Sequence, residues 1–298
     1  MMLPERIKLV EVSPRDGLQN EAQTIAVKDK LALIHGLQAA GVKHIEVTGF
    51  VSPKWVPQLA DASAVCAGIQ PAAGVHYSAL TPNLKGLDAA IAAGIKEVAV
   101  FTAASESFNQ KNINCSIDES FARFAPVLEK AQAHDMQVRG YVSCVLGCPY
   151  EGEIDPKVVA QVAHRLHQMG CYEVSLGDTI GTGTPQKAAH MFSLCAEQIP
   201  TAQLALHFHD TYGQALANIH ACLPLGAAVI DASVAGLGGC PYARGASGNV
   251  STENVVYMLH GMGIETGIDL AQLIQVGQQI SSVLGRSTNS QVAQAFSG

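Results

Sequence analysis

Two histidines spaced two apart, His207 and His209, close an apolar run at residues 204–209. On a β-strand that spacing turns both rings to the same side of the pleat, where they can converge on one ion. A core histidine beside an exposed cap fits the same pattern. Asp16 and Asn249 add a carboxylate and an amide oxygen. Two imidazoles, one carboxylate and one amide suit an open site for a divalent cation such as Mg²⁺ or Mn²⁺, and the missing thiolate argues against structural zinc. Arg15, next to Asp16, supplies a fixed cation able to hydrogen-bond a developing oxyanion, and Glu46 could hold its guanidinium. A purely structural Arg–Glu pair is the competing reading.

A further reactive candidate is Cys240, in the loop 235–249. Gly236, Gly238 and Gly239 give this backbone freedom at positive φ, and Pro241 stiffens it just beyond the cysteine. A lid carrying a thiol fits, and so does a surface loop around a small buried cysteine. Asp178, after another apolar run, is either a polar group facing a ligand or the N-cap of the next helix. Lys111, in what reads as a long loop, either reaches an anionic ligand or is solvated surface. Gln19, Asp178, Thr179 and Lys111 are the candidate substrate contacts.

These residues need a frame that brings distant segments together. Apolar runs at 7–12, 44–48, 74–80, 97–101, 137–145, 173–176, 204–209 and 229–234 alternate with helical patterns, the rhythm of βαβ units. Eight strands in series predict a single (β/α)₈ TIM barrel of the α/β class, covering about residues 5–263 of one domain that spans 1–298. In such a barrel the site forms at the C-terminal ends of the strands, where Arg15, Asp16, Asp178, His209 and the 235–249 loop all fall. One more amphipathic helix is expected at about 269–285, as a barrel cap or a dimer contact, followed by a loose tail at 287–298.

The 298 residues include 48% hydrophobic and 14% charged residues, a composition for a well-buried globular protein. A net charge of −7 with no Lys/Arg run argues against nucleic acid as a partner. No apolar run reaches spanning length and no targeting segment is recognisable, so no membrane association is expected. Eight cysteines without C-x-x-C pairs fit reduced thiols and a cytoplasmic setting.

The loop SVAGLGGCPYA at 233–243 closely resembles the signature of the 3-hydroxy-3-methylglutaryl-CoA lyase family. VSPRDGLQNE at 12–21, FVSPKWVPQ at 50–58, SLGDTIG at 175–181 and LHFHDTYG at 206–213 are similar to that family in the same order. The resemblance spans roughly residues 5–285 and implies retro-Claisen cleavage of the acyl-CoA to acetyl-CoA and acetoacetate. It implies Asp16, His207, His209 and Asn249 as ligands of a divalent metal cation. It also implies Arg15 as enolate stabiliser, Glu46 as its positioner and Cys240 as proton donor, with Asp16 or His207 assisting proton removal from the substrate alcohol. Gly49 stands where relatives often have Ser, and Ala22 and Gln186 also depart from the family pattern. A lyase for a related 3-hydroxy-acyl-CoA is therefore one alternative. A Claisen condensing transferase of the isopropylmalate/homocitrate synthase type is another, although those enzymes usually carry extra C-terminal segments. A homo-oligomer, such as a dimer, is the expected assembly.

Overall fold

The apolar runs become β1 (Lys8–Glu11), β2 (His44–Gly49), β3 (His76–Leu80), β4 (Glu97–Ala103), β5 (Gln137–Ser143), β6 (Glu173–Asp178), β7 (Leu204–Phe208) and β8 (Val229–Ala232). In this computed structural model, which describes residues 3–239 and 248–296, the strands close in chain order into one parallel barrel. β1 pairs with β2 on one side and β8 on the other, which seals the cylinder and leaves no open sheet edge. The expected (β/α)₈ barrel is the observed fold.

Helices wrap the outside: α1 (Val27–Ala39), α2 (Ala62–Gly68), α3 (Leu84–Ala92), α4 (Glu106–Ile113), α5 (Ile117–Ala133), α6 (Pro156–Gln168), α7 (Pro185–Ala196), α8 (Ala215–Cys222) and α9 (Thr252–Gly261). Outward residues of the strands, such as Ile45, Val98, Val174 and Leu206, join the helices in one continuous apolar core. Two of these helices, α2 and α4, lack a clear helical period in the sequence. The region around Lys111 is the helix α4, begun by Ser105, whose side chain accepts from Phe108 N, and not an open loop. α2 is only seven residues long, too short to show a helical period in sequence.

The additional helix is α10 (Leu270–Val283), and its apolar face, including Leu273, Val276 and Ile280, is buried within the same chain. Val276 packs so closely on α1 that a Cβ at Gly36 would lie 2.9 Å from its Cγ2. The tail expected to be loose is ordered in part. Residues Gln291–Phe296 form α11, and Asn254 Oδ1 on α9 accepts from Ser290 Oγ and Val292 N at 3.1 and 3.0 Å. A side-chain amide in α9 supplies the anchor that the polar composition of the tail did not suggest.

Two buried carboxylates hold the turn after β8. Glu11 accepts from Ser13 N, Val234 N and Thr252 Oγ1 at 3.0, 2.9 and 2.7 Å. Glu253 accepts from Ala235 N through both oxygens, at 2.9 and 3.0 Å, and from Ser251 Oγ at 2.6 Å. These bonds secure Ala235 at φ 58, a conformation that a non-glycine residue adopts only when its surroundings impose it. Burial, aided by the neighbouring Glu11, pushes the Glu253 carboxyl up to about 7.

Because folding raises this carboxyl from a usual value of 4.5, the unfolded chain loses the proton first as pH rises. Stability held through protonated Glu253 is therefore present below pH 4.5 and declines as pH rises to about 7. Glu253→Gln removes that titration. From urea unfolding at pH 5 and pH 8, the stability of the wild type relative to the variant should fall by roughly 1–3 kcal/mol across the interval; parallel pH dependences would contradict the assignment.

Candidate active site

The first part of the site is a single wide turn after β1. The N–H groups of Arg15, Asp16 and Gly17 all return to the Val12 carbonyl, at 3.2, 2.8 and 3.1 Å. The last of these is an i→i+5 bond, a local widening of the kind that recurs at functional positions. Gly17 is required by close approach, since a Cβ there would lie 2.7 Å from Ser233 Oγ and 2.9 Å from Leu237 Cβ. The turn is thereby pressed against the segment leading out of β8.

From this turn Arg15 reaches into the barrel. Its Nε donates to Glu46 Oε2 at 2.7 Å and its Nη1 to Asp16 Oδ1 at 2.6 Å. Arg15 is 7% exposed and Glu46 fully buried. Burial alone would favour the neutral guanidine, but Glu46 and Asp16 outweigh it and keep Arg15 cationic. The Tyr141 ring lies under the guanidinium, 5.6 Å from Cζ, and its hydroxyl donates to the same Glu46 oxygen at 3.3 Å.

Beside Arg15, Asp16 meets the two histidines. One potential ligand atom from each of Asp16, His207 and His209 lies within 4.8 Å of the others, a separation that donors around a shared divalent ion approach. The rings of His207 and His209 are 5.5 Å apart between centroids, as same-side neighbours on a strand should be. Burial opposes ionisation of Asp16, yet Arg15, the histidines and the Asn249 amide bring its carboxyl down to about 2. Burial, with His207 beside it, lowers His209 to about 4. Ionised carboxylate and neutral imidazole are the forms that bind metal, so the donor set fits a divalent cation.

Asn249 joins the group through the loop that follows β8. Its Nδ2 donates to Asp16 Oδ2 at 2.8 Å and to Leu237 O at 3.2 Å. Two glycines make this crossing possible. A Cβ at Gly238 would lie 2.7 Å from Asn249 Nδ2, and one at Gly248 would lie 2.5 Å from the Gly238 backbone. Gly236 and Gly238 have the expected positive φ, whereas Gly239 does not. Cys240 lies outside the described residues.

The substrate-contact candidates are less closely gathered. Asp178 is buried at the end of β6, and its Oδ2 accepts from Gly183 N at 2.9 Å. It braces the turn before α7 but is not the N-cap of that helix, a position held by Thr184. Burial raises its carboxyl to about 6. Thr179 Oγ1 accepts from Cys144 N at 2.8 Å, and Gln19 is half-buried. Lys111 is exposed on α4 with Nζ 3.6 Å from the centre of the Tyr150 ring. Gly49 is a packing position, where a Cβ would lie 3.2 Å from both Leu59 Cδ1 and Leu80 Cβ; Ala22 and Gln186 are exposed.

Beneath the histidines lies a buried polar network that no sequence motif marks. Asp231 on β8 accepts from Arg139 Nη2 at 2.7 Å through Oδ1, and through Oδ2 from Arg139 Nη1 at 2.9 Å and Ser175 Oγ at 2.8 Å. Arg139 Nε donates to Glu173 at 2.8 Å, and Lys8 Nζ donates to that carboxylate at 2.5 Å. Asp231 Oδ2 also lies 3.1 Å from His207 Nδ1. The signal available in sequence was the alternation itself, which gives Arg139 and Tyr141 the same side of β5.

The HMGL-like family model matches residues 6–280. A Pseudomonas aeruginosa protein named 3-hydroxy-3-isohexenylglutaryl-CoA/hydroxy-methylglutaryl-CoA lyase is 60% identical over 296 residues, covering 99% of each chain. Human mitochondrial hydroxymethylglutaryl-CoA lyase is 58% identical over 293 residues, 98% of this chain and 90% of the human one. The crystal structure of Pseudomonas aeruginosa hydroxymethylglutaryl-CoA lyase matches with a TM-score of 0.98 at 60% identity, covering 99% of both chains. With nearly the whole length matched in both sequence and fold, the chain belongs to the hydroxymethylglutaryl-CoA lyase family.

Proposed function

We propose that this protein is a carbon–carbon lyase that cleaves 3-hydroxy-3-methylglutaryl-CoA to acetyl-CoA and acetoacetate. The observation that carries the reading is the convergence of Asp16, His207 and His209 beside the buried Arg15 cation, in a chain of this family. Asp16, His207, His209 and the Asn249 amide oxygen would hold Mg²⁺ or Mn²⁺. When bound, such an ion would supply positive charge that offsets the negative charge on the tertiary alkoxide as the C2–C3 bond breaks. Asp16 or His207 would assist removal of the alcohol proton. Arg15, fixed by Glu46, donates to the thioester oxygen as the leaving fragment becomes an enolate, and Cys240 returns a proton to the enolate carbon. Gln19, Asp178, Thr179 and Lys111 remain candidate contacts for the rest of the acyl-CoA. Free thiols at all seven described cysteines accord with a cytoplasmic setting, and no described helix is long and apolar enough to cross a membrane.

A second substrate is favoured by one observation, the double name of the Pseudomonas aeruginosa relative. An isohexenyl group in place of the methyl would sit on the same C3 carbon and leave the reacting bonds unchanged.

Purified protein supplied with Mg²⁺ or Mn²⁺ should release acetoacetate from 3-hydroxy-3-methylglutaryl-CoA. No cleavage with either ion would overturn the reading. Arg15→Gln should lower kcat/KM by about 10²–10⁴-fold, roughly 3–5 kcal/mol, while Mn²⁺ binding measured by titration persists. Turnover of the isohexenyl thioester with kcat/KM within about tenfold of the methyl compound would establish the broader specificity, and rejection by more than about a thousandfold would exclude it.

A further inference from the structure

His207 has two ring nitrogens, and only one can face the ion. Its Nε2 points toward the site, 3.9 Å from Asp16 Oδ2, while Nδ1 lies 3.1 Å from Asp231 Oδ2 on the neighbouring strand. Strand register produces this pairing, because His207 on β7 stands directly opposite Asp231 on β8. Asp231 cannot rotate away. Arg139 grips both its oxygens, Ser175 donates to Oδ2, and its side chain has no exposure to solvent. With Arg139 and Ser175 already donating to both oxygens, Asp231 is the acceptor toward His207, so Nδ1 of a metal-binding imidazole carries the proton.

We infer that Asp231 is a positioning residue that fixes His207 in its Nδ1–H tautomer and ring orientation, presenting the Nε2 lone pair to a divalent cation. The Nδ1–H donates to Asp231, and Arg139 holds Asp231 in place from the opposite side. A carboxylate behind a ligating imidazole also raises the basicity of the coordinating nitrogen. The inference rests on the reading of Asp16, His207 and His209 as metal ligands. His209 emerges beyond the end of β7, where its bridge partner is Asn249, so the two histidines are oriented by different means.

The test compares Mn²⁺ affinity, read from free Mn²⁺ by electron paramagnetic resonance, in wild type, Asp231→Asn and Glu173→Gln. Glu173 is 2% exposed and bonds the same arginine without approaching His207, so Glu173→Gln reports the cost of disturbing the network alone. Asp231→Asn should raise the Mn²⁺ Kd by about 10–100-fold. Glu173→Gln should lower Tm and leave Kd within about twofold. Unchanged Mn²⁺ affinity in Asp231→Asn, or an equal loss in both variants, would overturn the inference. Failure of the wild type itself to bind Mn²⁺ would instead overturn the metal reading. Should Asp231→Asn not fold, ¹⁵N spectroscopy of wild-type protein loaded with Mg²⁺ provides the decision: a protonated His207 Nδ1 is expected, and a protonated Nε2 excludes the role.

Discussion

The two-pronged ion pair between Arg139 and Asp231 is the contact around which the barrel interior is arranged. Burying either charge alone would cost several kcal/mol, and the pair is tolerable only because its hydrogen-bonding positions are matched. Asp231 receives both prongs of the guanidinium and the Ser175 hydroxyl, while Arg139 is shared with Glu173 and Tyr141. Burial alone would raise the Asp231 carboxyl, but Arg139, together with His207, holds it well below the usual range. The interior on this side is therefore a charged lattice and not the layered aliphatic filling common in such barrels. A lattice of this type gains rigidity by satisfying every member, and its uppermost member touches a histidine of the site.

From that lattice upward, order passes to the mouth through a few stiff connections. Tyr141 bridges the layers, with its hydroxyl on Glu46 and its ring edge-on to His207 at 5.9 Å between centroids. Glu46 in turn holds Arg15, and Arg15 holds Asp16. Across the mouth, Glu11 and Glu253 bind the backbone of the 234–235 turn, and Gly17, Gly238 and Gly248 let neighbouring chains approach at distances that any Cβ would forbid. The loop carrying Asn249 is thus anchored at its root by buried carboxylates. Those anchors serve geometry, since preorganised donors stabilise developing charge only when they need not move.

Much of the site was legible because the strand period is short. The His207–His209 spacing, Asp16 just after the first strand and Asn249 in the loop after the eighth point to one end of a parallel barrel as soon as the βαβ rhythm is recognised. Asp231, Arg139 and Glu173 were hidden because they sit among apolar neighbours, where an isolated ionisable residue says nothing about its partner. Glu253 was hidden for another reason: at the start of α9 it looks like an ordinary first-turn acid, whereas it is fully buried and bonds Ala235. The segment around Lys111 reads as a loop in sequence because α4 is short and of mixed polarity. The ordered tail depends on Asn254, more than thirty residues earlier in the chain.

By itself the sequence determined the order of the strands and the residue types able to bind an ion, because these follow from local periodicity and side-chain chemistry. Tertiary structure decided which charges neutralise one another and which nitrogen of His207 faces Asp16. Those outcomes depend on register between strands: the place of Asp231 opposite His207 is set by closure of the barrel, and no local pattern in either strand encodes it.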